Sequence, residues 1–322
     1  TVGSVTAVGT VGIIADSGSI QDNLASNTVT DITAGGLITL TASADIDGQD
    51  AADDYLEVAA GSDIDASSTT AGEVKVSGAG ALTLSDVDTV DGLIDVMAAG
   101  AIDAADVISG GGAGDSVTIT STAAGDVTVG AITSADVVSI DAGTGSIADS
   151  ADDALADITA AGLITLDATA NITGAGGADG YLDLAAGSSV DASSATAGTI
   201  DLRGLGALTL TDVDTVDGAI DVTAAGLLTA TDVDSNDAGV SGGDGVTLHT
   251  TTNGIDATLI DSADTVSIDA DAGDVTVGSV TAVGTVGIIA DSGSIQDNLA
   301  SNTVTDITAG GLITLTASAD ID

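Results

Sequence analysis

The chain has 322 residues, with 50 acidic side chains against two basic ones and a formal net charge of −48 at pH 7. This charge excludes nucleic acid as a partner, because phosphate binding needs Lys and Arg, and it disfavours an anionic membrane surface. The chain has no Cys, which excludes disulfides, and no apolar run approaches the roughly 20 residues of a membrane span.

Short segments along the chain alternate apolar and polar residues, which is the period-2 pattern of a β-strand. In chain order they are GGLITLTA (35–42), GEVKVSGA (72–79), DGLIDVMA (91–98), GDVTVGAI (125–132), AGLITLDA (161–168) and GTIDLRG (198–204). Gly, Asp, Ser and Asn cluster between these segments, as turns require. Apolar residues make up 44% of the chain but aromatic residues only 1%, so we expect an all-β fold with a narrow core.

The alternation also predicts which side chains face the core. Those expected inside are Ile38, Leu40, Ile94, Val96, Val127, Val129, Val138, Ile140, Ile164, Leu166, Leu182, Leu184, Ile200, Leu202, Leu208, Leu210, Val266 and Ile268. Those expected to point outward are Thr39, Thr83, Asp95, Thr128, Ser139, Thr165, Asp183 and Asp221. The frequent glycines are expected at corners where the backbone takes a positive φ.

The chain repeats itself at more than one level. Residues 276–322 are identical to residues 1–47, an offset of 275, and residues 157–226 align with 31–100 at an offset of 126. Nested repetition of short strands favours a β-solenoid, with about 21 residues per coil, over a sandwich. We expect one continuous solenoid over 1–322. Residues 1–275 form one repeat unit with inner halves at roughly 1–124 and 125–272, and 276–322 begin the next unit.

The coils resemble the haemagglutinin-type repeats of large bacterial exoproteins, the filamentous haemagglutinin-like adhesins. The resemblance rests on the GxIxLxA spacing and on phrases such as TAAGDVTVGAI (122–132) and AAGLITLDATANITG (160–174). It implies a long right-handed parallel β-helix, exported from a bacterium to the cell surface or beyond. It also implies a role as a fibrous stalk or adhesin.

The motif DVDTVDG occurs at 86–92 and again at 212–218, unchanged between halves that otherwise differ. Clustered carboxylates on a turn can bind Ca²⁺ through oxygen. The alternative is a corner whose Asp side chains bond local backbone N–H groups, and this is the favoured interpretation. The candidate Ca²⁺ ligands are Asp86, Asp88, Asp91, Asp212, Asp214 and Asp217.

These features predict a structural role. The first hypothesis is an acidic extracellular or cell-surface fibre that associates with itself end to end and laterally. The alternative is a Ca²⁺-dependent adhesin or biofilm-matrix protein that contacts cell-surface or matrix components. A β-helix enzyme acting on polysaccharides ranks lowest, because His249 is the only His and Lys75 and Arg203 have no counterparts in the other half. No cofactor is required by this interpretation, and Ca²⁺ is the one candidate ion.

Overall fold

The computed structural model describes residues 1–24, 29–48, 54–151, 153–176, 180–235, 243–298 and 305–322. The regular elements of these residues are β-strands, and the strand pairs are parallel, as the sequence predicts. The strands belong to two compact units. The first comprises 1–151 with 157–165, and the second comprises 166–322 with the short segment before residue 157.

Strands of two to eight residues make up the first unit. They are β1 (Val5–Ala7), β2 (Val11–Ala15), β3 (Ile20–Gln21), β4 (Ile32–Ala34), β5 (Ile38–Ala42), β6 (Ile46–Asp47), β7 (Leu56–Val58), β8 (Ser62–Ser68), β9 (Val74–Gly78), β10 (Leu82–Thr89), β11 (Ile94–Ala98), β12 (Ile102–Ser109), β13 (Val117–Ser121), β14 (Val127–Ser134), β15 (Val138–Asp141), β16 (Ile147–Asp149) and β17 (Ile158–Ala160). From β7 to β16 the chain alternates between two parallel ladders.

One ladder of the first unit runs β1–β4–β7–β9–β11–β13–β15, and β3 and β6 join it at β9. The other runs β2–β5–β8–β10–β12–β14, and β16 and β17 both pair with β14. Ile94 pairs with Val74, 20 positions earlier, whereas Val5 pairs with Ile32, 27 positions later. Parallel partners need such crossovers, which the intervening strand of the other ladder supplies.

Strand β18 (Leu163–Ala168) begins in the first unit and ends in the second. The second unit continues with β19 (Ile172–Thr173), β20 (Leu182–Leu184), β21 (Ser188–Ser194), β22 (Ile200–Gly204), β23 (Leu208–Thr215), β24 (Ile220–Ala224), β25 (Leu228–Ser235), β26 (Val246–Thr250), β27 (Ile255–Ser262), β28 (Val266–Ala270), β29 (Val275–Ala282), β30 (Val286–Ala290), β31 (Ile295–Asp297), β32 (Ile307–Ala309) and β33 (Ile313–Ala317). Its two ladders are β21–β23–β25–β27–β29, which ends on β31 and β32, and β22–β24–β26–β28–β30–β33, which begins on β19 and β20.

The core consists of Ile, Leu, Val and Ala side chains from alternate strand positions. All the side chains predicted to face inward are at most 2% exposed. Seven of the eight predicted to point outward are partly exposed. The prediction is wrong for Asp183, which is 1% exposed because Arg203 of the neighbouring strand lies against it.

Buried hydroxyls form a column at one end of a ladder in each unit, a feature that the apolar pattern does not predict. The columns are Ser68, Thr89, Ser109 and Ser134 in the first unit and Ser194, Thr215, Ser235 and Ser262 in the second. Ser134 donates to the carbonyl of Val137 at 3.0 Å, and Ser262 donates to that of Thr265 at 3.1 Å. Every hydroxyl of the two columns except that of Ser68, which has no hydrogen-bond partner among the described residues, donates to a backbone carbonyl.

Glycine serves two purposes at the corners, and the sequence predicted only one. Gly61 and Gly187, 126 residues apart, have positive φ values of 75° and 88°, as expected of a corner. Gly218 is needed for a different reason, because a Cβ there would lie 2.1 Å from the carbonyl oxygen of Gly198. At that corner glycine lets successive turns of backbone approach closely.

Candidate functional site

The first corner motif (Asp86, Asp88 and Asp91) lies on β10 and the turn after it. Strict alternation from Leu82 and Leu84 would point Asp86 and Asp88 inward. Instead, the register between β8 and β10 shifts between Leu84 and Asp86. The bulge makes Val87 face the core, so Asp86 is exposed and Asp88 is partly exposed. The sequence allowed for a corner at this point, whereas the structure has a bulge within strand β10.

Carboxylates stack along the ladder at this corner. Asp86 pairs in register with Asp65, and the hydroxyl of Ser67 donates to Asp88 at 2.8 Å. Partial desolvation, together with the charges of Asp88, Asp106 and Asp65, raises the pKa of Asp86. Acidic groups one strand spacing apart repel each other, so this stack of carboxylates attracts cations.

The second corner motif (Asp212, Asp214 and Asp217) repeats the geometry on β23. The ladder between β21 and β23 shifts register between Val190 and Asp191, and Val213 faces the core. Asp191 pairs with Asp212, and burial together with Asp212 raises the pKa of Asp191. Along the same ladder, Asp214 pairs with Asp234, which pairs with Asp261. Both corner motifs therefore belong to columns of outward carboxylates.

The closest groupings of metal-binding side chains lie elsewhere. Among the described residues, two groups of three have ligand atoms that all lie within 4.8 Å of one another. One is the buried carboxyl cluster (Asp22, Asp31 and Glu57), and the other is His249 with Asp269 and Asp271. Neither group contains a residue of the corner motifs, so Ca²⁺ binding by those motifs stays a prediction.

The buried carboxyl cluster is almost free of solvent. Asp22 and Asp31 are 0% exposed and Glu57 is 5% exposed. The backbone N–H of Glu57 donates to Oδ2 of Asp31 at 2.9 Å, whereas Oδ1 of Asp31 is buried without a hydrogen-bond donor among the described residues. Burial, followed by the neighbouring Asp22 carboxyl, raises the pKa of Asp31 to about 9. Sequence reasoning missed this cluster because its members are far apart along the chain and only Glu57 lies within a strand.

In the second half of the repeat, an arginine lies beside one of the carboxylates at the matching positions. Asp157 and Asp183, which align with Asp31 and Glu57, are 4% and 1% exposed. Arg203 stands next to Asp183 in the ladder, and its Nε donates to Asp183 Oδ1 at 2.6 Å. Its terminal NH2 group also contacts Asp183 Oδ2 and donates to the carbonyl of Asp153 at 3.2 Å. A guanidinium thus neutralises the buried carboxylate in this half.

The group around His249 is more open. His249 pairs with Asp269 in the ladder between β26 and β28, and its Nε2 lies 3.3 Å from Oδ1 of Asp271. The side chains of His249 and Asp271 are 31% and 49% exposed. An accessible His beside two carboxylates is a common surface arrangement, and we assign it no role.

One open cavity of about 360 Å³ is lined partly by acidic residues of the last 30 or so positions of the chain. Its lining includes Asp297, Asp306 and Asp322, which stand 275 positions after Asp22, Asp31 and Asp47. In the first copy, β7 lies beside β4, which is the strand equivalent to β32. The cavity is therefore lined by the counterparts of Asp22 and Asp31 of the buried carboxyl cluster.

Comparison of the chain with protein-family models, with curated protein sequences and with solved structures found no match in any of the three. Among the described residues, no helix is long and apolar enough to cross a membrane.

Proposed function

We propose that this chain is a segment of an acidic extracellular or cell-surface fibre of bacterial origin, built from tandem β-solenoid repeats. The observation that carries the proposal is the exact recurrence of residues 1–47 at residues 276–322. Within each compact unit the printed strand pairs are parallel, with partners 20 to 28 positions apart, and the first 47 residues of the pattern recur from Thr276. Repetition of such a unit adds length without requiring new contacts.

The proposal includes a right-handed, continuous solenoid over 1–322. Register partners are 20 positions apart in many pairs, such as Leu208 with Leu228, and 26 or 27 apart in others, such as Thr39 with Asp65. The predicted coil of about 21 residues lies near the short end of these offsets, so the proposed turns differ in length. At the roughly 4.8 Å spacing of adjacent strands, one 275-residue repeat would extend a fibre by on the order of 60 Å.

The acidic surface suits a fibre that remains hydrated. Outward carboxylates keep neighbouring fibres apart by repulsion and leave lateral bundling dependent on cations. In this proposal the partners are further copies of the same chain and cell-surface or matrix components, and the fibre acts without catalysis.

Electron microscopy of versions with one, two and three copies of the 275-residue unit tests the proposal. We expect rods of constant width whose length increases by the same increment, on the order of 60 Å, with each copy. Compact particles, or a diameter that grows with mass, would contradict the fibre.

The second candidate is a Ca²⁺-dependent adhesin or matrix protein, which the carboxylate columns at the corner motifs favour. Substitution of Asp212, Asp214 and Asp217 by Asn tests it. If Ca²⁺-dependent adhesion to cells or matrix is lost in this variant while the rods persist, the adhesin is supported over a passive stalk. If no adhesion depends on Ca²⁺, the adhesin is excluded.

A further inference from the structure

The buried carboxyl cluster brings three acidic side chains together away from solvent. The other half of the repeat places a positive charge beside its buried carboxylate. Asp22, Asp31 and Glu57 are all at least nine-tenths buried, and their ligand atoms lie within 4.8 Å of one another. Carboxylates this close do not all ionise unless a cation compensates them. Removing them from water without compensation is costly.

An oxygen of this cluster is available to a ligand. Asp31 is 0% exposed, and its Oδ1 is buried without a hydrogen-bond donor among the described residues. The later copy shows the same feature, since Oδ1 of Asp306, which stands 275 positions after Asp31, is also buried without a donor among those residues. Both copies of this position thus carry a buried carboxylate oxygen without a hydrogen-bond donor among the described residues.

The two halves of the repeat provide an internal comparison. Glu57 pairs in register with Ser77, whereas the aligned Asp183 pairs with Arg203. Arg203 supplies the positive charge directly through two contacts with Asp183. Ser77 carries no charge, and the single lysine of the chain, Lys75, has its Nζ 3.0 Å from Glu73 and 3.1 Å from Asp54. The first half therefore keeps the buried acids and lacks the guanidinium.

We propose that Asp22, Asp31 and Glu57 bind a divalent cation, with Ca²⁺ preferred, which takes the place that the Arg203 guanidinium holds in the other half. The donor set is entirely carboxylate oxygen, which suits a hard cation and not zinc, whose sites use nitrogen and sulfur. Ca²⁺ is preferred over Mg²⁺ because it tolerates irregular geometry and gives up its water more readily. The site is distinct from the corner motifs and is inside the fold.

Terbium luminescence tests the proposal, because Tb³⁺ replaces Ca²⁺ and is excited through a nearby tyrosine. Tyr55 precedes Glu57 by two positions, whereas Tyr181 occupies the matching place in the half that has Arg203. In chelator-treated protein at about 0.15 M KCl, which screens the surface charge, we expect sensitised emission that Ca²⁺ displaces. Tyr55→Phe should remove most of the emission, and Tyr181→Phe should leave it unchanged.

Two substitutions and one matched control locate the binding site. Asp31→Asn should weaken Ca²⁺ binding at least tenfold in calorimetric titration, and the matched Asp157→Asn should not. Ser77→Arg copies the other half, so it should fold, lose the same binding and make the melting temperature independent of Ca²⁺. This variant keeps the test decisive if Asp31→Asn fails to fold.

Three results would overturn the assignment. The first is Ca²⁺ affinity that is unchanged in both Asp31→Asn and Ser77→Arg, which would place binding on the acidic surface. The second is emission that depends on Tyr181 as much as on Tyr55. The third is displacement by Mg²⁺ at the same concentration as Ca²⁺, which would remove the preference for Ca²⁺.

Discussion

The phenolic hydroxyl of Tyr55 donates a hydrogen bond to the carboxylate of Asp95 at 2.8 Å, although 40 residues separate them. Lys75 lies between them on the ladder, in register with Asp95. In the other half Tyr181 donates to Asp221 at 3.0 Å, and Asp201 occupies the place of Lys75. The two halves thus keep the same tyrosine contact around middle residues of opposite charge.

This contact predicts late ionisation of both tyrosines. Burial, followed by the hydrogen bond to Asp95, raises the pKa of Tyr55 above its ordinary value, and burial with the charge of Asp221 raises that of Tyr181. Phenolate absorbance in the folded chain should therefore rise at higher pH than in the urea-unfolded chain. Because the folded pKa is the higher one, this stabilisation is present below the ordinary tyrosine pKa and is lost as pH rises through the folded value.

Removing the phenolic hydroxyl of one tyrosine measures how much its hydrogen bond contributes to the free energy of unfolding. Tyr55→Phe should lower the free energy of unfolding by about 1 to 2 kcal/mol, because it removes a hydrogen bond to a charged acceptor. Tyr181→Phe should cost a similar amount, since its contact is equivalent. Coincident phenolate titrations of folded and unfolded chain would contradict the contact.

Exchanging the residue that lies between the tyrosine and its acidic partner should raise the free energy of unfolding in one half and lower it in the other. Asp201 stands in register with Asp221, so two acids face each other across the ladder. Asp201→Lys copies the first half and should raise the free energy of unfolding by about 1 kcal/mol, the scale of a cross-strand charge pair. Lys75→Asp is the reciprocal control and should lower it. Urea unfolding measures both variants, and a destabilising Asp201→Lys would show that packing outweighs charge at this position.

The raised carboxyl pKa values predict a protein that loses stability as pH rises. Burial and the neighbouring Asp221 raise the pKa of Asp201 to about 6, and burial raises that of Asp47 to about 6. Between the ordinary Asp value of 3.8 and about 6 the folded state holds more protons than the unfolded state. The free energy of unfolding should therefore fall as pH rises through this window.

Thermal unfolding measured across that window checks the sign. Asp201→Asn should flatten part of the slope, because it removes one of the groups that gain a proton on folding. A melting temperature that climbs steadily from pH 4 to pH 6 would show instead that carboxylates with lowered pKa values dominate.

Loss of Arg203 should lower the free energy of unfolding far more than loss of Lys75. Arg203→Met leaves the carboxylate of Asp183, which is 1% exposed, buried without its cation, at a cost of about 3 to 5 kcal/mol. The partners of Lys75 are 44% and 29% exposed, so Lys75→Met should cost about 1 kcal/mol or less. The double variant Arg203→Met with Asp183→Leu should recover most of the lost stability in urea unfolding. Equal costs for the two single variants would contradict the buried pair.

The column of buried hydroxyls should require hydrogen-bond donors. Ser262 donates to the carbonyls of Asp244 at 2.7 Å and Thr265 at 3.1 Å, so Ser262→Val should cost about 1 to 3 kcal/mol. Ser262→Thr keeps the hydroxyl, and threonine already stands at Thr89 and Thr215 of the columns, so this control should be close to neutral. Chemical unfolding distinguishes the pair, and equal losses would indicate that size, not hydrogen bonding, decides the position.

The sequence by itself determined the all-β class and the inward-facing side chains. Ile94 and Val96 belong to a period-2 pattern, and that pattern depends only on the pleat of a single strand. These inferences need no knowledge of what lies beside each strand.

Only the tertiary structure decided how the charged positions are used. Asp183 has the period of an outward residue, but the register that sets it beside Arg203 buries it. The bulge after Leu84 turns Asp86 outward, against simple alternation. Asp22, Asp31 and Glu57 meet because separate turns of the chain stack, and long-range register of that kind is not encoded in any local pattern.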